Sequence, residues 1–377
     1  MRNLLAQITD AVVSELRPSA VVLHGSFGRG EGGAYKVGRE LCLGNDVDLM
    51  AVYSGPSSIV KSLNARKRAR SLSELLTGGS SVQELDLVTR PAFALRWPPP
   101  SLKYFELLRS ARVLYGTVKL KFSDAASLDR VPPSDFVGRL LHRGGGLLMA
   151  WAWLSAGDAD FSDLAARTVQ QAVDRVFLAC GDLWLYRNQQ YDHRLATRVE
   201  RFRVLRTAGP NPSPRLREEY ELSVRERLFP SEALKLSRAE HHTRWQVAVE
   251  EWLACFKARE GLGLPAREGF LALRSHWHPL RLGLRIIKAV RGYSNGLLSA
   301  RAQTKVLPLL LAWALDDRDN GARSESIAAV MGAQEDDAYD LPSMVDRFLL
   351  AWEPTGEARN AAGQARLLAG HQREPHA

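Results

Sequence analysis

The chain has 377 residues, 45% of them hydrophobic and 25% charged, the balance of an ordinary globular protein. At roughly 100–200 residues per domain this length predicts two or three domains, and it excludes a disulfide-stapled mini-protein, a wholly disordered chain and a collagen-like fibre. The net charge of +9 is concentrated early: residues 1–130 hold 18 Lys and Arg against 12 Asp and Glu, the remainder 33 against 30. Such an excess raises the local concentration of anionic ligands (nucleotides, sugar phosphates, nucleic acid), although a merely soluble basic surface is an equal reading.

The first third reads as mixed α/β. Leu4 to Leu16 carries helix-spaced apolar positions and stops before Pro18. Ala20-Val21-Val22-Leu23-His24 is a short apolar run of the kind that forms a buried strand. It ends at Gly25-Ser26-Phe27-Gly28-Arg29-Gly30-Glu31-Gly32-Gly33, too rich in glycine to continue a sheet. A second strand is predicted over Asp46-Val47-Asp48-Leu49-Met50-Ala51-Val52-Tyr53, a helix over Ile59 to Leu76, and a third strand over Val82 to Val88. Pro98-Pro99-Pro100 marks a loop, and a short helix with Val113-Leu114-Tyr115 closes the region.

Pro132-Pro133 is the best domain boundary, with Ser134 or Asp135 as the N-cap of the next helix. Helices are then predicted over about 135–156, 162–186, 193–207, 215–228, 231–260, 267–274, 279–292, 299–316, 323–331 and 341–352. Gly209-Pro210-Asn211-Pro212-Ser213-Pro214 breaks two of them. Gly144-Gly145-Gly146 inside the first costs about 1 kcal/mol per glycine against alanine; a kink, close packing or approach to a ligand all remain open. The expected layout is α/β plus all-α: a small mixed-sheet domain over 1–131, a helical domain over 132–354, and a disordered tail over 355–377.

No apolar run approaches the roughly 20 residues that span a bilayer. Met1-Arg2-Asn3-Leu4 leads into a mixed stretch with Gln7, Asp10 and Glu15, so no secretory signal peptide is expected. Cys42, Cys180 and Cys255 are odd in number and far apart along the chain, which argues against a paired-cysteine zinc site and for a reducing, cytoplasmic compartment.

Three features carry the chemistry. The first strand feeds a Gly25-Ser26 turn followed by Arg29-Gly30-Glu31. Asp46 and Asp48 lie two apart on the next predicted strand, and Asp86 lies on the third, in Glu84-Leu85-Asp86-Leu87. Residues two apart on a strand share a face, so Asp46 and Asp48 converge. Convergent carboxylates repel unless a cation lies between them, and hard oxygen donors suit Mg²⁺. A third carboxylate on a neighbouring strand suits a second ion and an attacking hydroxyl, the two-metal arrangement for displacement at phosphorus. The glycine turn lets backbone N–H groups and a hydroxyl approach phosphate oxygens, helped by a helix N-terminus if a helix starts there. A solvated strand face is the competing reading for the two acids, but Val47, Leu49, Met50, Ala51 and Val52 indicate burial, where unpaired charge is costly.

In these residues the chain resembles the nucleotidyltransferase superfamily of DNA polymerase β, in its small, bacterial, non-polymerase branch. The resemblance rests on Gly25-Ser26, Asp46-x-Asp48 and Asp86 in order and in strand context. It extends to His24-Gly25-Ser26-Phe27-Gly28-Arg29-Gly30-Glu31-Gly32, Asn45-Asp46-Val47-Asp48-Leu49 and Arg112-Val113-Leu114-Tyr115-Gly116. It covers about residues 18–120 and is weaker after Pro133. One departure is the 21 positions from Gly25 to Asp46; Gly33 to Gly44 reads as an inserted loop or hairpin, which leaves the position of Glu31 open.

The resemblance implies an enzyme that moves a nucleoside monophosphate from a nucleoside triphosphate, ATP first, to an acceptor hydroxyl and releases pyrophosphate. It implies two Mg²⁺ ions on Asp46, Asp48 and Asp86, with Asp86 also taking the acceptor's proton. The triphosphate is expected on Gly25 and Ser26, its charge offset by Arg29, with the nucleotide between the two domains. A small-molecule acceptor comes first, a protein hydroxyl (as in antitoxin-type enzymes that transfer AMP) second and an RNA end third; no membrane partner is expected. A non-catalytic nucleotide sensor or partner-binding protein is the alternative class.

Other candidates are weaker. Arg66-Lys67-Arg68-Ala69-Arg70 reads as a solvated helix face before it reads as an RNA or phosphate contact. His241-His242 and His276-Trp277-His278 lack zinc spacing. His24 reads first as a packed strand residue and second as a catalyst. Glu84 is as much an edge charge as a second acid. Trp151, Trp153, Trp184, Trp245 and Trp252 are expected to fill the helical core.

Overall fold

A computed structural model describes residues 2–37, 40–43, 46–77, 85–96, 98, 100–119, 127–155, 161–207, 211–229, 236–258 and 311. They belong to two compact units, Met1–Asp135 with Trp184–Leu234, and Phe136–Leu183 with Lys235–Ala377. The first unit therefore takes in a helical stretch that composition alone would place with the later helices.

The first unit is built on a four-stranded mixed sheet. Its strands are β1 (Ala20–His24), β4 (Val47–Tyr53), β5 (Leu85–Pro91) and β6 (Arg112–Gly116), in the order β5-β4-β1-β6. Strand β1 is antiparallel to β4 and β6, and β4 is parallel to β5. A parallel pair needs a crossover, here α3 (Ser58–Thr77). Every residue of β1 is buried, which is why it reads as an unbroken apolar run rather than an alternating one.

Successive side chains take opposite faces. Val21, Leu23, Leu49, Ala51 and Leu87 join the core under α1 (Arg2–Leu16) and α3, with Ile8, Val12, Ala65 and Ala69. Ala20, Val22, Met50 and Val52 meet Leu107 and Leu108 of α4 (Leu102–Ser110) and Leu95 of a 3₁₀ turn on the other face. Ser62, Ala65, Ala69 and Leu72 form the buried stripe of α3, and the small residues among them bring its backbone close to the sheet. Thr89 Oγ1 donates to Ser62 O at 2.8 Å, and Ser73 Oγ to Leu85 O at 2.6 Å.

The glycine-bounded insertion is a hairpin, β2 (Ala34–Val37) paired with β3 (Glu40–Leu43). Two local expectations change. Val113-Leu114-Tyr115 belongs to strand β6 rather than to a helix. A three-residue apolar run does not distinguish the two, and the open edge of β1 decides, pairing Val21 with Tyr115 and Val22 with Val113. Asp135 does not cap its own helix: α5 (Pro133–Ser155) starts at Pro133, and Asp135 Oδ2 instead accepts from Leu102 N at 2.7 Å, capping α4.

Helices α7 (Leu195–Val204) and α8 (Pro214–Leu228) complete this unit. Ser213 accepts from Leu216 N at 2.9 Å with proline at the start of α8, a stop-and-restart that the proline-rich breaker announces. The second unit holds most of α5 and α6 (Asp163–Arg187), with α9 (Arg238–Ala258). Trp245 and Trp252 are fully buried, and their ring N–H groups donate to Leu147 O at 2.9 Å and Leu140 O at 2.8 Å. Close packing explains Gly144, where a Cβ would lie 2.6 Å from the Trp252 ring. Cys180 and Cys255, distant in sequence, share a thiol hydrogen bond, and burial pushes the Cys180 thiol well up. The helices expected after residue 260 and the tail over 355–377 lie outside the described residues. No helix among those described is long and apolar enough to cross a membrane.

Candidate active site

Strand register assembles the site. His24 pairs with Asp48 across β1 and β4, and Asp48 pairs with Asp86 across β4 and β5. Laterally paired residues share a face, with neighbouring strands about 4.8 Å apart. His24, Asp48 and Asp86 therefore form one row across three adjacent strands, on the face that carries Val22, Met50 and Val88. Asp46 lies just ahead of β4 rather than inside it, two positions before Asp48.

The electrostatics of the row follow from burial and repulsion. Asp48 is pushed up to about 7, first by desolvation, then by the charges of Asp86 and Asp46, with Arg29 and Arg227 opposing. Its carboxyl is thus about half protonated near pH 7. His24 is 8% exposed and is lowered to about 4, first by burial and then by Lys103, Arg29 and Arg90. The imidazole is neutral at physiological pH, and its buried Nε2 has no hydrogen-bond partner.

Gly25 closes the row. It has φ +63°, and a Cβ built on it would lie 1.8 Å from Asp48 Oδ2. Backbone conformation and space both require glycine here. The turn that follows is a single helical turn, α2 (Gly25–Gly28), with Glu31 N donating to Ser26 O at 2.9 Å. Four residues supply little macrodipole. Ser26 is 3% exposed, so any ligand reaches it at the floor of the turn.

Arg29 departs from its expected role. Its Nε donates to Glu31 Oε2 at 2.9 Å in a pair whose side chains are only 8% and 10% exposed. Glu31 Oε1 also accepts from Ala196 N at 3.4 Å, at the start of α7, where Arg194 supplies no side-chain cap. Glu31, undecided from sequence, ties the glycine turn to that helix. Tyr191 OH donates to Glu106 beside it.

The remaining candidates divide simply. Arg66, Lys67, Arg68 and Arg70 are exposed on α3, and Arg70 pairs with Glu74 at 3.2 Å, the solvated face that was the first reading. Glu84 lies outside the described residues. Sequence reasoning missed Lys103 and Arg90; alternation on β5 puts Arg90 on the face of Asp86, but only after the register is known.

Among the described residues no three His, Cys, Asp or Glu side chains are grouped as around a metal ion. The donors themselves suit a hard divalent cation. Asp46, Asp48 and Asp86 act on one another strongly enough to hold a proton on Asp48, and a cation would relieve that repulsion. No family model, curated protein or solved structure matches the chain.

Proposed function

We propose that this protein is a nucleotidyltransferase, transferring a nucleoside monophosphate from a nucleoside triphosphate to a hydroxyl of a small-molecule acceptor, on a fold of the polymerase β type. The observation that carries the reading is the carboxylate pair Asp48–Asp86 in register on adjacent strands, with Asp46 in electrostatic range and Gly25 against Asp48.

Asp46, Asp48 and Asp86 would hold Mg²⁺. Bound there, Mg²⁺ would neutralise the carboxylates and the charge that develops on the phosphates. Asp86, exposed at the edge of the row, accepts the proton of the acceptor hydroxyl as its oxygen bonds to the α-phosphorus. The bond from that phosphorus to the bridging oxygen breaks, and pyrophosphate leaves with the electron pair. Gly25 leaves room at Asp48 for the chain to pass close to the triphosphate. Arg29 and Glu31 hold the turn in place, and positioning of this kind supplies much of the rate.

The test is incubation with each labelled nucleoside triphosphate, Mg²⁺ and a cell extract, beside Asp48→Asn. Label in the small-molecule fraction, absent with the variant, is the expected result. Label in protein alone would move the acceptor to a protein hydroxyl. Tight nucleotide binding without transfer to any fraction would replace the enzyme with a nucleotide sensor.

A further inference from the structure

Arg29, the cation that sequence reasoning aims at phosphate, is already engaged with Glu31. The open face of the sheet carries two others. Arg90 lies four residues after Asp86 on β5, so alternation gives it the same face as Asp86, Asp48 and His24. Lys103 is exposed in the first turn of α4, the helix that covers this face through Leu107 and Leu108. Neither makes an ion pair among the described residues; Arg90 reaches only Thr89 O, at 3.4 Å. Between them and the acids stands His24, more than nine-tenths buried, with Nε2 unpartnered. A buried polar atom in that state costs stability until a ligand satisfies it.

We infer that His24, Arg90 and Lys103 form a phosphate-binding subsite on this face, beside the acid row and distinct from the Gly25–Ser26 turn. Arg90 offers a planar fork of donors, Lys103 a mobile point charge, and His24 a directed N–H in its Nε2 tautomer. Both cations also press on the imidazole and keep it neutral, a strain that an anion between the three would remove. The four-residue offset separates the Cα atoms of Arg90 and Asp86 by about 13 Å. The arginine side chain covers part of that gap, so the phosphate stands clear of Asp86. The ligand is either the polyphosphate of the nucleotide or the phosphate of a phosphorylated acceptor. The subsite deepens the nucleotidyltransfer reading and rests on it for which molecule carries the phosphate, not for phosphate binding itself.

The probe is inorganic phosphate, titrated calorimetrically into metal-free, full-length protein, with Lys103→Met, Arg90→Gln, His24→Asn and the surface control Arg70→Gln. Circular dichroism and melting temperature establish that each variant is folded. Wild type and Arg70→Gln should bind alike, and Lys103→Met and Arg90→Gln should each weaken binding about tenfold, the loss expected for one charge-assisted hydrogen bond. His24→Asn, which keeps a donor, should bind more tightly than His24→Leu. Absence of phosphate binding by wild type, or equal affinity in the charge variants, overturns the subsite. A second titration with a saturating non-hydrolysable ATP analogue separates the sources: displaced phosphate assigns the subsite to the nucleotide, undisplaced phosphate to the acceptor. No turnover or metal enters these measurements. A failure of nucleotidyl transfer therefore leaves their outcome unchanged, and transfer without phosphate binding sinks the subsite alone.

Discussion

The α-carbon of Gly25 and the carboxylate of Asp48 occupy adjoining space that a single methyl group would fill. A Cβ on Gly25 would lie 1.8 Å from Oδ2 and 2.7 Å from Cγ of Asp48, at a backbone φ of +63°. The glycine is thus tied to one particular acid on another strand, and the turn and the acid row act as one unit.

Gly25→Ala should abolish transfer and destabilise the fold by about 2–4 kcal/mol, the sum of a left-handed alanine and a displaced carboxylate. In an Asp48→Gly background the side chain that blocks the methyl is absent, leaving the cost of the left-handed backbone. A double-mutant cycle by urea denaturation should therefore show strong coupling. Additive losses would mean that the two residues do not share this space.

Stability against pH should expose the two partners of the row. Asp48 is raised to about 7 in the fold, so between about pH 4 and 7 the folded state binds more protons than the unfolded and stability falls as pH rises. His24 is lowered to about 4, so between about 4 and 6.5 the unfolded state binds more protons and stability rises with pH. The two slopes oppose each other in metal-free wild type. Asp48→Asn should leave a rising profile and be more stable than wild type at pH 8 by on the order of 2–4 kcal/mol. His24→Asn should leave a falling one. Denaturation curves at pH 4.5, 6 and 8 in a chelator decide this.

Mg²⁺ should raise the melting temperature of wild type at pH 8, because a cation bound by the acids favours the folded state. Asp48→Asn should lose most of that response, and Asp46→Ala and Asp48→Ala should lose transfer while remaining folded. Asp86→Asn should keep Mg²⁺–nucleotide affinity within about tenfold and lose at least about 10²-fold in turnover. Calorimetry beside a pyrophosphate-release assay checks both halves. Loss of affinity along with turnover would make Asp86 a structural residue or primary ligand rather than the base.

Glu31→Ala strips the partner from a buried guanidinium and the acceptor from the start of α7. It should cost about 3 kcal/mol or more. Glu31→Gln combined with Arg29→Met removes both charges and should recover much of that loss, as read from denaturant midpoints.

Two glycines in α5 should behave in opposite ways. Gly144→Ala meets the Trp252 ring at 2.6 Å and should destabilise by about 1–3 kcal/mol. Gly146→Ala meets only Ala172 Cβ at 3.8 Å, an ordinary contact, and should stabilise by about 0.5–1 kcal/mol through helix propensity. Thermal melts of the two variants beside wild type settle it.

Local pattern was sufficient for much of this protein. The run Ala20–His24, the acids of the next strand, the hairpin between Gly33 and Gly44 and helices α5 to α9 follow from apolar periodicity and from glycine and proline, which act within a few residues. What pattern leaves open is pairing. A period of two assigns Asp48, Asp86 and Arg90 to faces of their own strands, but it does not say that His24 stands opposite Asp48, or Asp48 opposite Asp86. The same holds for Val113–Tyr115, made a strand by the edge of β1, for Asp135, which caps α4 instead of its own helix, and for Arg29, spent on Glu31. Cys180 and Cys255 meet only because α6 and α9 pack. In each case the deciding energy comes from a group distant in the chain, through a hydrogen bond, a charge or a shared volume that exists only once the chain has closed on itself.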